Sequence, residues 1–218
     1  MRKLPVLLLC LAAIWSCNLK GSYYVENCQD FVTLSDGNLV NDYSVVYTLS
    51  NVASDKVIVP TVEGRRYFLT FDIINGNYDI LLKNTIDINT LQALPAVGPV
   101  PEAHDPVSIV LYNISPTWLN LGIRYYNAKE SNFIHSFSAQ YVHEPATDEI
   151  TITLYHNGND ENPASADEET LEQVTELFSI PLAGYGWTPA GVNLTCHVLQ
   201  KSSDGTYSVK QVTYTSGN

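Results

Sequence analysis

Basic side chains are scarce in this chain of 218 residues: 11 Lys and Arg stand against 23 Asp and Glu, a formal net charge of −12. Nonspecific nucleic-acid binding draws its affinity from Lys and Arg displacing counterions from phosphate, so nucleic acid is not an expected partner. Charged residues of both signs make up only 16% of the chain and hydrophobic residues 45%, a balance that excludes disorder and supplies a core for one large or two small domains. Cysteine is limited to four residues with no CxxC spacing and no Cys/His cluster, which removes zinc and dithiol redox chemistry from the expectations. Also missing are a GxSxG elbow, an HExxH pair, a GxGxxG turn, a phosphate loop and a calcium loop of EF-hand type. No apolar stretch reaches the roughly 20 residues of a spanning helix.

What is present begins at the N-terminus. Arg2 and Lys3 precede 12 apolar residues at 4–15, followed by the small residues Ser16 and Cys17. That order reads as a secretory signal over residues 1–16. Ile14, Ser16 and Cys17 fit a bacterial lipoprotein box, which makes Cys17 the expected lipid attachment site and the outer membrane the expected location. Plain secretion, with Cys17 an ordinary residue near the cut, is the alternative. Three acyl chains at Cys17 would anchor the protein durably, since each buried methylene contributes about 0.8 kcal/mol. Residues 17–27 then form a short tether. After Cys10 leaves with the signal, Cys28 and Cys196 remain in an oxidising compartment, read as two separate buried thiols unless the fold brings the chain ends together.

From residue 29 the pattern is alternation punctuated by turn formers. DFVTL, YSVVYTL (43–49), KVIVP (56–60), RRYFLTFDII (65–74) and YDILLKNTIDI (78–88) read as strands, separated by Asp36-Gly37-Asn38, Glu63-Gly64 and Asn75-Gly76-Asn77. Five short strands in such a span predict a small barrel or sandwich over residues 28–94. Prolines 95, 99, 101 and 106 cannot donate to a ladder and mark a linker at 95–105. Seven further alternating segments follow in residues 106–218: VSIVLYN, WLNLGIRYY, FIHSFSAQYVH, EITITLYHN, FSIPL, VNLTCHVLQ and YSVKQVTY. They predict an antiparallel β-sandwich. In WLNLGIRYY, Leu119, Leu121, Ile123 and Tyr125 share one face, and Asn120, Gly122 and Arg124 the other. One stretch departs from this pattern: Ser165 and Glu168 stand in capping-box spacing before Leu171, Val174 and Phe178, and predict a short helix over 166–177.

Charge is unevenly spread, with five basic and nine acidic residues in 18–98 against four and fourteen in 99–218. Ten acids between Glu144 and Glu176 have no Lys or Arg among them. Neutralising Glu168, Glu169, Glu172 and Glu176 would test whether that charge captures a cationic partner or only solvates a face.

No constellation selects a catalytic residue, a metal ligand or a cofactor, and the chain reads as non-enzymatic. His104, His135, His143, His156 and His197 are dispersed along strands and loops, where a hydrogen-bonded structural imidazole is the ordinary finding. The Asn/Asp-rich loop at 157–162 carries oxygen ligands, but hairpin loops favour these residues for conformational reasons. Two aromatics alternating with glycine, Tyr185 and Trp187, could present rings to a sugar or a protein partner, or fold back to plug the end of the sandwich.

The ordered series HDPVSIVLYN, SPTWLNLGIRYYNAK, FIHSFSAQYVH and ITITLYHNGNDENP, preceded by RRYFLTFDIINGNYDILLKNTIDINTL, resembles the NigD-like lipoproteins of Bacteroidota. The resemblance spans nearly all of the chain after the signal. It implies an all-β protein with an N-terminal OB-like barrel and a C-terminal β-sandwich, anchored by lipid. The lipid signal, the absence of a catalytic constellation and the acidic surface, not the resemblance, point to an envelope protein or a glycan as partner. A bacteriocin-immunity role is implied only by the family's name, and no catalytic residues are carried over.

Overall fold

A computed structural model describes residues 24–97, 105–129, 134–158, 171–182, 191–201 and 207–215. These form fourteen strands and no helix. The first five are β1 (Val25–Ser35), β2 (Asn38–Asn41), β3 (Val46–Val52), β4 (Arg66–Ile73) and β5 (Asp79–Asp87). They close a barrel in the order β1-β2-β3-β5-β4, with β3 and β5 parallel and the other pairs antiparallel. The ladder between β4 and β1 closes the barrel, and at the β1–β2 hairpin Ser35 pairs with Asn38 across two residues. Asp36 (φ 51°) and Gly37 (φ 75°) both take the left-handed conformation that such a turn needs. Val32, Leu34, Leu39, Tyr47, Leu69, Phe71, Ile80 and Leu82 fill the barrel. Each buried aliphatic or aromatic side chain contributes about 1.5–3 kcal/mol relative to exposure.

The KVIVP segment is not a strand. It lies in the connection from β3 to β4, with Val57 packed against the barrel core and Ile58 71% exposed. The barrel strand that takes its place in the count of five is β2, too short to show alternation.

The chain then forms β6 (Asn89–Thr90), β7 (Ala93–Pro95), β8 (Ser108–Ile114), β9 (Trp118–Ala128), β10 (Ser136–Glu144), β11 (Glu149–Asn157), β12 (Leu171–Pro181), β13 (Gly191–Lys201) and β14 (Tyr207–Thr215). They build two sheets, β14-β13-β11-β10-β7 and β6-β12-β9-β8. All seven segments read after the linker are strands. The Leu119, Leu121, Ile123 and Tyr125 face of WLNLGIRYY is the buried one, and it meets Ile150, Ile152, Leu154, Leu194 and Cys196 of the opposite sheet in one core. Gly122, on the other row, lets β8 cross closely: a Cβ there would lie 3.0 Å from Leu111 Cβ.

Three features correct the sequence reading. Residues 171–177 are strand, not helix, because β12 pairs with β9 over eleven consecutive residues from Leu171↔Ala128 to Pro181↔Trp118. A ladder of that length overrides local helical preference. Nor are the sheets purely antiparallel: β7 runs parallel to β10, β6 to β12, and β11 to β13. Finally, residues 89–95, read as the end of the barrel and the start of the linker, pair with the two sheets.

Candidate functional site

β9 carries Tyr125 inward at the end of its apolar row, and there the core turns from aliphatic to aromatic. The Tyr125 ring lies 4.5 Å from the His135 ring, 5.2 Å from His156 and 5.4 Å from Phe137, centroid to centroid. His156 stacks on Phe137 at 4.6 Å and 11°, and on His135 at 5.1 Å and 17°. Alternation on β11 directs His156 inward with Ile152 and Leu154, leaving it 4% exposed. The two imidazoles also meet edge on, with His135 Nδ1 2.9 Å from His156 Nε2 and His135 Nε2 3.2 Å from Asn127 Oδ1. Gly158 closes the backbone over both rings; a Cβ there would stand 3.2 Å from His135 Cε1 and 3.3 Å from His156 Cε1.

The electrostatics follow from this packing. Burial, reinforced by the neighbouring His135, pushes the His156 pKa down to about 4, so it is neutral at physiological pH. Tyr125 donates to Glu176 Oε1 at 2.5 Å, and Asn89 Nδ2 donates to Glu176 Oε2 at 3.0 Å. Burial and the adjoining carboxylate push the Tyr125 hydroxyl well above its ordinary pKa. Glu176 therefore belongs to this cluster and not to a solvated acidic face. Among the described residues no group of three or more His, Cys, Asp and Glu side chains is placed to hold a metal ion.

A second polar cluster joins the barrel to the sheets. Arg66, 1% exposed at the start of β4, donates from Nη1 to Asp42 Oδ1 at 2.7 Å and from Nη2 to Asp42 Oδ2 at 3.1 Å. It also donates to Thr33 Oγ1 and, across the boundary, to Asn120 Oδ1 at 3.0 Å each. Asn120 returns a bond from Nδ2 to Asp42 Oδ2 at 2.7 Å, and Ser179 Oγ donates to Asn120 Oδ1 at 2.6 Å. The guanidinium lies 4.1 Å from the centroid of the Trp118 ring. Burial pulls the Arg66 pKa down, while the Asp42 carboxylate opposes that shift. The bidentate pair and the further hydrogen bonds satisfy both terminal nitrogens of the guanidinium, while among the described residues the buried Nε has no hydrogen-bond partner.

The described chain begins at Tyr24, which is pinned to the barrel. Asp72 accepts from the Tyr24 hydroxyl at 2.7 Å, from the Asn27 amide at 2.8 Å and from Lys83 Nζ at 2.6 Å. Burial alone would raise the Asp72 carboxyl; these three donors outweigh it and hold the pKa below the ordinary value.

Of the residues singled out in sequence, Cys17, Tyr185 and Trp187 lie outside the described residues, as does all of the 157–162 loop beyond Gly158. His135 and His156, dismissed one by one, are brought together from 21 residues apart. Asp42, Arg66, Asn120 and Ser179 gave no signal. Cys28 packs against the barrel core and Cys196 lies in the other, and the two are not joined in a disulfide.

No family model and no curated protein matches the chain. Solved structures do. A NigD-like immunity protein from Bacteroides caccae ATCC 43185 superposes with a TM-score of 0.56 at 20% identity, covering 88% of this chain and 99% of that one. A provisionally named lipoprotein from Bacteroides fragilis NCTC 9343 gives 0.55 at 13% identity, over 86% of this chain and 97% of the other. A provisionally named toxin-related protein from Parabacteroides distasonis ATCC 8503 gives 0.52 at 15% identity, over 87% and 93%. The resemblance read from the residues is thus met in three dimensions, and the chain shares the fold of the NigD-like immunity protein over nearly the whole of both chains.

Proposed function

We propose that this chain is a non-enzymatic lipoprotein of the outer membrane, an OB-like barrel and a β-sandwich that together present a binding surface to an envelope partner. The observation that carries the reading is the Arg66–Asp42–Asn120 junction. It ties the two units together through a buried ion pair and an asparagine bonded to both of its members, so this cluster is closed off from a substrate. A rigid two-unit platform suits recognition, which benefits from preorganisation. Anchoring at Cys17 follows from the signal and fits the lipoprotein among the structural neighbours.

A second reading is an immunity-type role in which acidic residues capture a basic protein. The immunity and toxin-related neighbours favour it. Carbohydrate binding through Tyr185 and Trp187, as part of a glycan-uptake system, is the third. Capture of envelope proteins on the purified protein, run beside a glycan array and a broad hydrolase screen, separates them. Protein partners support the first or second reading and glycan signals the third. Hydrolysis abolished by one Glu→Gln or His→Gln substitution would overturn the non-enzymatic assignment.

A further inference from the structure

An open sheet edge offers a row of unpaired N–H and C=O groups to any strand that meets it, and proteins normally blunt such edges. Among the described residues the two sheets end laterally in β6, β8, β7 and β14. β6 has two residues, and β7 has three and ends at Pro95. β8 carries a break in register between Ile109 and Leu111 where it pairs with β9. Each of these devices discourages a further strand.

β14 has none of them. It has nine residues, contains no proline, and pairs with β13 without interruption from Asn193↔Thr215 to Lys201↔Tyr207. No described strand lies on its other side. Its charge also does not oppose pairing with a copy. The chain carries 23 acids, yet none follows Asp204, and Lys210 is the single charged residue of the strand. Cys196 pairs with Val212 and faces the core, so Val209, Gln211, Thr213 and Thr215 form the opposite, exposed row.

We infer that β14 pairs antiparallel with β14 of a second copy about a twofold axis at Gln211, joining the two five-stranded sheets into one. An isologous contact requires each residue to suit its symmetry mate. With Gln211 central, all nine residues pair: Val209 faces Thr213, Gln211 faces Gln211, Tyr207 faces Thr215, and Lys210 faces Val212. No like charges are opposed, and the exposed row brings β-branched residues and amides together, pairs that stabilise a ladder. Any other centre leaves part of the strand unpaired.

The test uses the full chain in its own envelope, mild oxidation and non-reducing electrophoresis, with the parent chain as control for Cys28 and Cys196. Directly opposed Cβ atoms lie about 4.5–5.5 Å apart, close enough for a disulfide after slight adjustment. Gln211→Cys is expected to convert most of the chain to a covalent dimer of twice its mass. Val209→Cys or Thr213→Cys alone should give no dimer, because each faces the other position. Co-expression of these two variants with different tags should give a mixed dimer. Absence of a dimer from Gln211→Cys and from the mixed pair would overturn the inference. So would equal cross-linking by the single 209 and 213 variants. Adducts of Gln211→Cys only to proteins of other mass would assign the edge to a foreign strand.

Discussion

Protonation of His156 should weaken the fold between neutral and mildly acidic pH, by an amount that the packing allows to be worked out. The imidazole is held between Phe137, Tyr125 and His135, and its pKa falls from the ordinary 6.5 to about 4 because burial and the neighbouring ring disfavour its charge. The folded state therefore binds fewer protons here than the unfolded chain. This stabilising contribution is complete above the unfolded value and is lost as pH falls from 6.5 toward 4. At pH 5 the loss is about 2 kcal/mol, from about 1.36 kcal/mol for each unit of separation between that pH and the unfolded value. For a chain of this length that corresponds to a Tm decrease of about 4–8 °C. His156→Phe preserves a flat ring over Phe137 and removes the proton site. Its stability relative to the parent shifts by a constant from the lost His135 hydrogen bond, but it should lack the pH-dependent part. Asp30, whose carboxyl is raised by burial against its Tyr47 and Asn41 donors, contributes in the opposite sense in both proteins and cancels in the difference. Thermal melts of both proteins at pH 7 and pH 5 supply the measurement. Parallel changes in Tm for the two proteins would refute the assignment of a buried, neutral His156.

Arg66→Met strands the Asp42 carboxylate at a buried site and should cost about 3–5 kcal/mol in urea denaturation, whereas Arg66→Met with Asp42→Asn should recover part of that loss; a single-variant cost under about 1 kcal/mol would contradict a paired buried charge. The Cys196 thiol is fully buried and pushed up to about 11, so iodoacetamide should label it only after denaturation. Labelling of native Cys196 at the rate of a free thiol would place it outside the core. Cys17→Ala should release the protein from membranes and abolish incorporation of labelled lipid, and unchanged fractionation would remove the anchor.

Strand patterns were legible wherever one face was uniformly apolar. Alternation alone puts Leu119, Leu121, Ile123 and Tyr125 on one face, and all four are buried. The pattern misled where a strand's inward row contains a polar residue whose partner is remote. On β12 that row is Val174, Glu176, Phe178 and Ile180, each opposite an inward residue of β9. Glu176 interrupts the alternation, so the neighbouring Leu171, Val174 and Phe178 stood out at helical spacing instead. Its carboxylate is tolerated there because Tyr125 and Asn89, 51 and 87 residues away, donate to it. KVIVP failed for the complementary reason: its apolar residues alternate with nothing, and among the described residues no strand pairs with it.

Asn120 shows why the junction between the units was beyond reach of local pattern. Its row on β9 faces away from the core of its own sheets, where an asparagine normally meets water. It is nevertheless completely buried, because Asp42, Arg66 and Ser179 arrive from 78, 54 and 59 residues away to take up its oxygen and amide. Alternation specifies which side of a strand a residue occupies; it carries no information about what covers that side. The barrel and the sheets could thus each be read from period and turn chemistry, while their attachment depends on matching a few polar groups across long separations. Such matching is demanding in geometry, since a buried charge left without its counter-charge destabilises strongly. The cluster therefore acts less as a source of net stability than as a constraint on how the two units sit together, and a partner that recognises both of them meets a single preformed surface.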